Sequence, residues 1–189
     1  MKPLLIEASF PKLSSDITVA KAQIDSLDKQ PDYVSMSREQ LLEVKLWQVL
    51  HLLNNGHTDE AAPLIDTLVF DESYSDMPPL KMSWLWLARM TIFIANNDYM
   101  LALGAAENAL MQMVDISNKK KEDFLAILAS LLYNLASVHN SVGDSSRATK
   151  ELTKCQKLFE RLVKKNERRF SPMLLYALEA STSIITSKA

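Results

Sequence analysis

Residues 124–162 read FLAILASLLYNLASVHNSVGDSSRATKELTKCQKLFERL. Within them Phe124, Leu128, Leu131, Leu135, Val138 and Val142 step by 4, 3, 4, 3 and 4 residues. That spacing draws one apolar stripe along an α-helix. Gly143-Asp144 interrupts it, and glycine takes the left-handed backbone that ends a helix at no Cβ cost. Ala148, Leu152, Cys155, Phe159 and Leu162 then resume the same rhythm. The stretch therefore predicts two amphipathic helices joined by a tight turn. Such a hairpin has apolar flanks that it cannot cover alone, so it must stack on neighbours.

The rest of the chain follows the same pattern. Leu13, Ile17, Ala20, Ile24 and Leu27 predict a first helix over about 13–30, stopped near Pro31. Ser37-Arg38-Glu39-Gln40 is a capping-box sequence, with the helix running to about Asn54. Asn54-Asn55-Gly56 is a turn, Thr58 a candidate cap, and Pro63 a candidate kink in the helix after it. Residues 71–79, DESYSDMPP, form the most obvious loop, and Pro79 suits the first turn of another helix. Asn96-Asn97 is a further turn. The next helix carries Ala102, Ala105, Ala106 and Ala109 on a small-residue face. Ser171-Pro172 reads as cap plus first turn of a last helix over about 171–187. No alternating segment is long enough for a strand.

Three of these turns are alike. They read NNGHTDEAAPL, ANNDYMLALGAAENAL and NSVGDSSRATKEL, with an alanine five residues after the turn residue: Gly56 to Ala61, Asn97 to Ala102, Gly143 to Ala148. A small residue belongs there because helices leaving a short turn cross closely. On Ala136, Gly143, Ala148 and Leu152, on Trp86, Ala102, Ala109 and Leu110, and on Gly56, Ala61 and Leu68, the chain resembles the tetratricopeptide repeat family. The resemblance spans roughly residues 37–165. It implies an all-α, right-handed α-α superhelix: a solenoid of about three hairpins over 37–70, 79–117 and 121–166. With flanking helices at 13–30 and 171–187, residues 1–189 make one domain. The anchor alanines are 41 and 46 residues apart, against ~34 in the family. The family's inter-repeat proline falls at Ser73, Val114 and Glu160, so each second helix is expected to run on.

Composition narrows the function. Three glycines in 189 residues, against ~7% on average, disfavour loops that cradle phosphate, and no nucleotide-binding glycine motif occurs. Cys155 is the single cysteine, which removes a disulfide framework and a thiolate zinc site. His51, His57 and His139 form no metal-binding pair, and Ser141 near His139 lacks a nucleophile elbow. The expectation is a non-enzyme with no cofactor and no metal. The N-terminus lacks the apolar core of a signal peptide. The most apolar run, Trp84 to Ala95, is short and holds Arg89. A cytoplasmic protein without a membrane contact is therefore expected.

Two surfaces are candidates for a partner. The tetratricopeptide resemblance implies a concave face lined by the first helix of each hairpin. There it would carry Glu43, Leu46, Leu50, Trp84, Leu87, Thr91, Tyr133, Ser137 and Asn140, suited to a protein or peptide segment with apolar anchors. Family members that grip a C-terminal carboxylate use lysine, arginine and asparagine on this face. Only Asn134 matches, so that clamp is not expected. The second candidate is a basic stripe, Lys150, Lys154, Lys157, Arg161, Lys164 and Arg168, lying opposite the apolar stripe of its helix. It would meet an acidic protein surface first and nucleic acid second. Residues 1–116 hold 8 Lys/Arg and 16 Asp/Glu, whereas residues 117–189 hold 13 and 7. That polarity also admits head-to-tail self-assembly, so the chain is read as a monomer or a homodimer. The leading expectation is a non-catalytic adapter, small chaperone or regulatory scaffold.

Overall fold

The computed structural model describes residues 7–26, 33–119 and 121–186. All regular structure in them is helical. The helices are α1 (Thr18–Ser26), α2 (Arg38–Asn54), α3 (Thr58–Phe70), α4 (Pro79–Ala95), α5 (Tyr99–Met113), α6 (Glu122–Ser141), α7 (Ser145–Val163) and α8 (Glu167–Thr186). Short 3-10 turns occur at Tyr33–Ser35 and Glu72–Tyr74. The backbone groups into two compact units. One holds the described residues up to Phe10 and from Met77 onward; the other is Pro11–Asp76.

In the Pro11–Asp76 unit, α2 packs on both α1 and α3. Ile17, Ala20 and Val44 form one core cluster in it, with Leu13, Ile24, Tyr33, Met36 and Trp47 against them. Helix α1 begins at Thr18, later than the apolar stripe predicts. Leu13 belongs to a non-helical lead-in, and Leu27 lies outside the described residues. The reason is Glu43 on α2. Its carboxylate accepts the backbone N–H groups of Ser14 and Ser15, at 2.8 and 2.7 Å, and the Ser14 hydroxyl at 2.7 Å. Asp16 then receives the Thr18 N–H and hydroxyl, which hold its carboxyl below the usual aspartate range. The capping box of α2 is complete. Gln40 N–H donates to the Ser37 hydroxyl at 3.2 Å, and Ser37 N–H donates to the Gln40 side chain at 3.0 Å. Thr58 is the first helical residue of α3 and not its cap; His57 holds that position without a side-chain bond.

In the larger unit α4 pairs with α5 and α6 pairs with α7. Helix α6 also touches both α4 and α5, so one hairpin stacks on the other, and α8 packs on α7. The Ser83 hydroxyl of α4 donates to the Ala109 carbonyl of α5 at 3.0 Å. Gln156 of α7 donates to the Ala177 carbonyl of α8 at 3.0 Å. Helix α8 starts four residues earlier than Ser171-Pro172 predicts, and Pro172 lies inside it. Asn166 is the cap, its side chain taking the Arg169 N–H at 3.2 Å. Phe170, fully buried, fixes that first turn against the core. Pro172 is exposed, where the one helix bond it cannot donate is least costly.

The three alike turns are alike in detail. Gly56, Asn97 and Gly143 have φ of 80°, 63° and 85°. In each, the next residue's N–H returns to the carbonyl five positions back: His57 to Leu52, Asp98 to Phe93, Asp144 to His139, at 2.8–2.9 Å. The turn residue's own N–H reaches the carbonyl three back, Leu53, Ile94 or Asn140, at 3.1–3.2 Å. That pair of bonds is the Schellman motif. Ala61, Ala102 and Ala148 are each fully buried. The long period does not come from second helices running on. Helices α3 and α5 end at Phe70 and Met113, short of Ser73 and Val114, and only α7 passes its position. The length lies instead in the connectors after α3 and α5 and in first helices of 17 and 20 residues.

Candidate functional site

Eight of the nine residues expected to line a concave face are buried. Leu46 and Leu50 sit in the interior side of α2, at 0% and 2% exposure. On α4, Trp84 and Leu87 are fully buried and Thr91 is 6% exposed. The Thr91 hydroxyl turns back onto its own helix, donating to the Ala88 carbonyl at 2.7 Å. On α6, Tyr133 and Ser137 are buried and only Asn140 is exposed. Asn134 is buried too. Glu43, expected on the same face, is the buried carboxylate that holds Ser14 and Ser15.

Parts of this chain cover the face within the larger unit. Burial pushes the Tyr133 phenol up to about 12, and the thiol of Cys155, the Glu179 carboxylate and Tyr176 add to the rise. Two of those neighbours, Tyr176 and Glu179, lie on α8. Trp84 is met by Phe10, whose ring stands edge-on with centroids 4.9 Å apart and planes at 87°. Phe10 ends a four-residue turn closed by its N–H donating to the Glu7 carbonyl at 3.1 Å. Ala8 and Ser9 within that turn are buried.

Arg169 holds this turn in place. Its Nε donates to the Ala8 carbonyl at 3.1 Å and one terminal nitrogen to the Phe10 carbonyl at 2.9 Å. The other terminal nitrogen donates to Glu122 at 2.9 Å, with Asp123 at 3.8 Å. Both acids open α6, where the positive end of the helix dipole favours them. Spacing gives no hint of this cluster. Arg169 is one residue off the basic stripe, and its carbonyl partner Ala8 is 161 positions away.

The basic stripe is divided by the fold. Lys150, Lys154, Lys157 and Arg161 lie on α7, Lys164 is its C-terminal cap, and Arg168 lies in the first turn of α8. All six are exposed. No ion pair joins any of them to a carboxylate among the described residues. Their helix is fixed from the other side by Ala148, Leu152, Cys155, Phe159 and Leu162, each fully buried. Burial also pushes the Cys155 thiol up to about 12, so it is a packed, protonated thiol.

The histidines are not brought together as one ligand set. His51 faces Asp25 at 3.2 Å, His57 faces Glu60 at 3.2 Å, and His139 faces Glu151 at 2.8 Å. Among the described residues no three His, Cys, Asp or Glu side chains converge on a metal-sized position. Helix α6, rather than Trp84 to Ala95, is the described helix long and apolar enough to cross a membrane. Some 67% of its apolar window is buried inside the fold. Two further apolar strips are exposed and escaped the sequence reading: Met100, Met111 and Val114 on and just after α5, and Leu175, Leu178 and Ile185 on α8.

No family model matches the sequence, no curated protein resembles it, and no solved structure matches its fold.

Proposed function

We propose that this chain is a non-catalytic protein-interaction module of tetratricopeptide-like hairpins, and that an acidic surface of its partner docks on the α7 ridge. The observation that carries this is the row Lys150, Lys154, Lys157 and Arg161, continued by Lys164, all exposed and without an ion pair among the described residues. Like charges three and four residues apart on a helix cost about 0.2–0.5 kcal/mol per pair. Four such neighbouring pairs follow one another here. A row that repels itself on a helix seated by five buried side chains gains most from carboxylates supplied from outside. The matching Schellman turns and buried anchor alanines support the tetratricopeptide-like reading of the hairpins.

The ridge is tested by reversing it. The full chain and its Lys157→Glu/Arg161→Glu variant are each used for affinity capture. A protein held by the first and lost by the second is then purified and titrated against both. An acidic partner bound at least tenfold more weakly by the variant is expected. A partner held equally by both retires the ridge. A short single-stranded oligonucleotide is titrated in parallel across salt concentrations. Tight binding with a steep salt slope would move the ridge to nucleic acid. Light scattering at low salt tests self-assembly, which a strictly monomeric species removes.

A further inference from the structure

Helix α5 carries an exposed strip that its own packing does not use. Met100, Met111 and Val114 are 80%, 68% and 62% exposed, and Gly104 lies between the two methionines on the same side of the helix. Gly56 and Gly143 serve the left-handed turns, whereas Gly104 sits mid-helix without a positive φ. Glycine there is less stable than alanine. A Cβ added at Gly104 would meet nothing within 4 Å, so no described neighbour demands its absence. The strip is therefore notched, with room for a side chain from outside. Acids frame it. Asp98, Glu107 and Asp115 are exposed, and residues 97–118 hold no lysine or arginine. None of the three acids makes an ion pair among the described residues.

We propose that this α5 strip, on a second copy of the chain, is the acidic surface that meets the α7 ridge; the proposal rests on the ridge reading above and names its partner. Charge decides the pairing. Setting α5 against α5 would bring acids onto acids, and α7 against α7 would bring cations onto cations. Only α5 against α7 matches opposite signs. The lengths agree as well: Asp98 to Asp115 covers about 25 Å of helix and Lys150 to Lys164 about 21 Å. A lysine has an apolar stem and a charged head. One stem can lie in the Gly104 notch beside Met100 and Met111 while its ammonium reaches Glu107. Each copy offers one acidic strip and one basic ridge, so the pairing is reciprocal. A closed dimer leaves neither unmatched, whereas an open chain leaves one of each at its ends. Exposed ion pairs are individually weak, so the dimer forms at high protein concentration and the dilute chain is a monomer.

The full chain is followed by sedimentation equilibrium at about 10 mM salt and up to about 1 mM protein, a range that captures any pairing tighter than millimolar. The mass should double as concentration rises. Glu107→Lys/Asp115→Lys and Lys157→Glu/Arg161→Glu should each pair with themselves at least tenfold more weakly. Mixed together, they should form a heterodimer about as tight as the wild-type dimer, because every strip then meets a ridge of opposite sign. Gly104→Leu keeps every charge and has space for its Cβ. It should fold unchanged by circular dichroism and still pair at least tenfold more weakly, because the notch is filled. A wild-type chain that stays monomeric at about 1 mM overturns the proposal. So does a mixture that stays monomeric, a mass that grows past a dimer, or a Gly104→Leu chain that pairs like wild type. The Glu107→Lys/Asp115→Lys variant keeps its ridge and should hold any other acidic partner as the wild type does. A monomeric chain that binds such a partner through the ridge therefore loses this proposal alone. A partner held equally by the Lys157→Glu/Arg161→Glu variant instead removes the ridge reading itself.

Discussion

Replacing Lys154 and Lys157 by glutamine should make the protein more stable. Both side chains are exposed on α7, and neither makes an ion pair among the described residues. The double change removes three repulsive neighbour pairs: 150 with 154, 154 with 157, and 157 with 161. At about 0.2–0.5 kcal/mol each, that relief is about 0.6–1.5 kcal/mol. Two carboxylates three residues away, Glu151 and Glu160, act in the other direction. Glu151 is already engaged by His139 at 2.8 Å, so one attractive neighbour is lost. The net gain is about 0.4–1 kcal/mol. Lysine and glutamine have nearly equal helix propensity, and both positions lie more than a turn from the C-terminus of α7, so dipole effects are small. Urea unfolding at about 10 mM and about 1 M salt measures it, since the Debye length falls from ~30 to ~3 Å between them. The gain should appear at low salt and fade at high salt. A variant no more stable than wild type at low salt would refute the idea that the ridge stores repulsion. It would remove the physical ground for an acidic partner there.

Four further outcomes are expected. Leu87→Ala should cost about 2–5 kcal/mol in urea unfolding, because the side chain is fully buried; a cost below about 0.5 kcal/mol would show it on a surface. Gly143→Ala should cost about 1–2 kcal/mol, all of it backbone conformation, since an added Cβ meets nothing within 4 Å at φ of 85°. Asn97→Gly, in the matching turn at φ 63°, should change stability by less than about 1 kcal/mol and in the favourable direction. Alkaline pH should destabilise the fold. Cys155 and Tyr133 are raised from ordinary values of 9.0 and 10.0 to about 12, so the folded chain keeps protons that the unfolded chain has released. Their stabilisation is whole below about pH 9 and lost as pH climbs toward about 12; Cys155→Ala should shrink the drop in the urea midpoint.

The sequence determined what local physics controls. The 4, 3, 4 apolar spacing marks α6 and α7 because a residue's position on a helix depends only on its separation along the chain. The Ser37–Gln40 box and the turns at Gly56, Asn97 and Gly143 are bonds among residues within five positions of each other, and each is written in adjacent letters. Tertiary structure decided whatever depends on residues far apart. A stripe of Trp84, Leu87 and Tyr133 looks the same in sequence whether a groove or another helix lies over it. Here Phe10 stands over Trp84, and that contact leaves no periodic trace. Glu43 looked like a surface acid until Ser14 and Ser15, 29 and 28 positions away, supplied its hydrogen bonds. Arg169 looked like one more cation beside a basic stripe. Only folding brought the carbonyls of residues 8 and 10 within reach of its guanidinium, since backbone acceptors are identical at every position and carry no signature in the side chains.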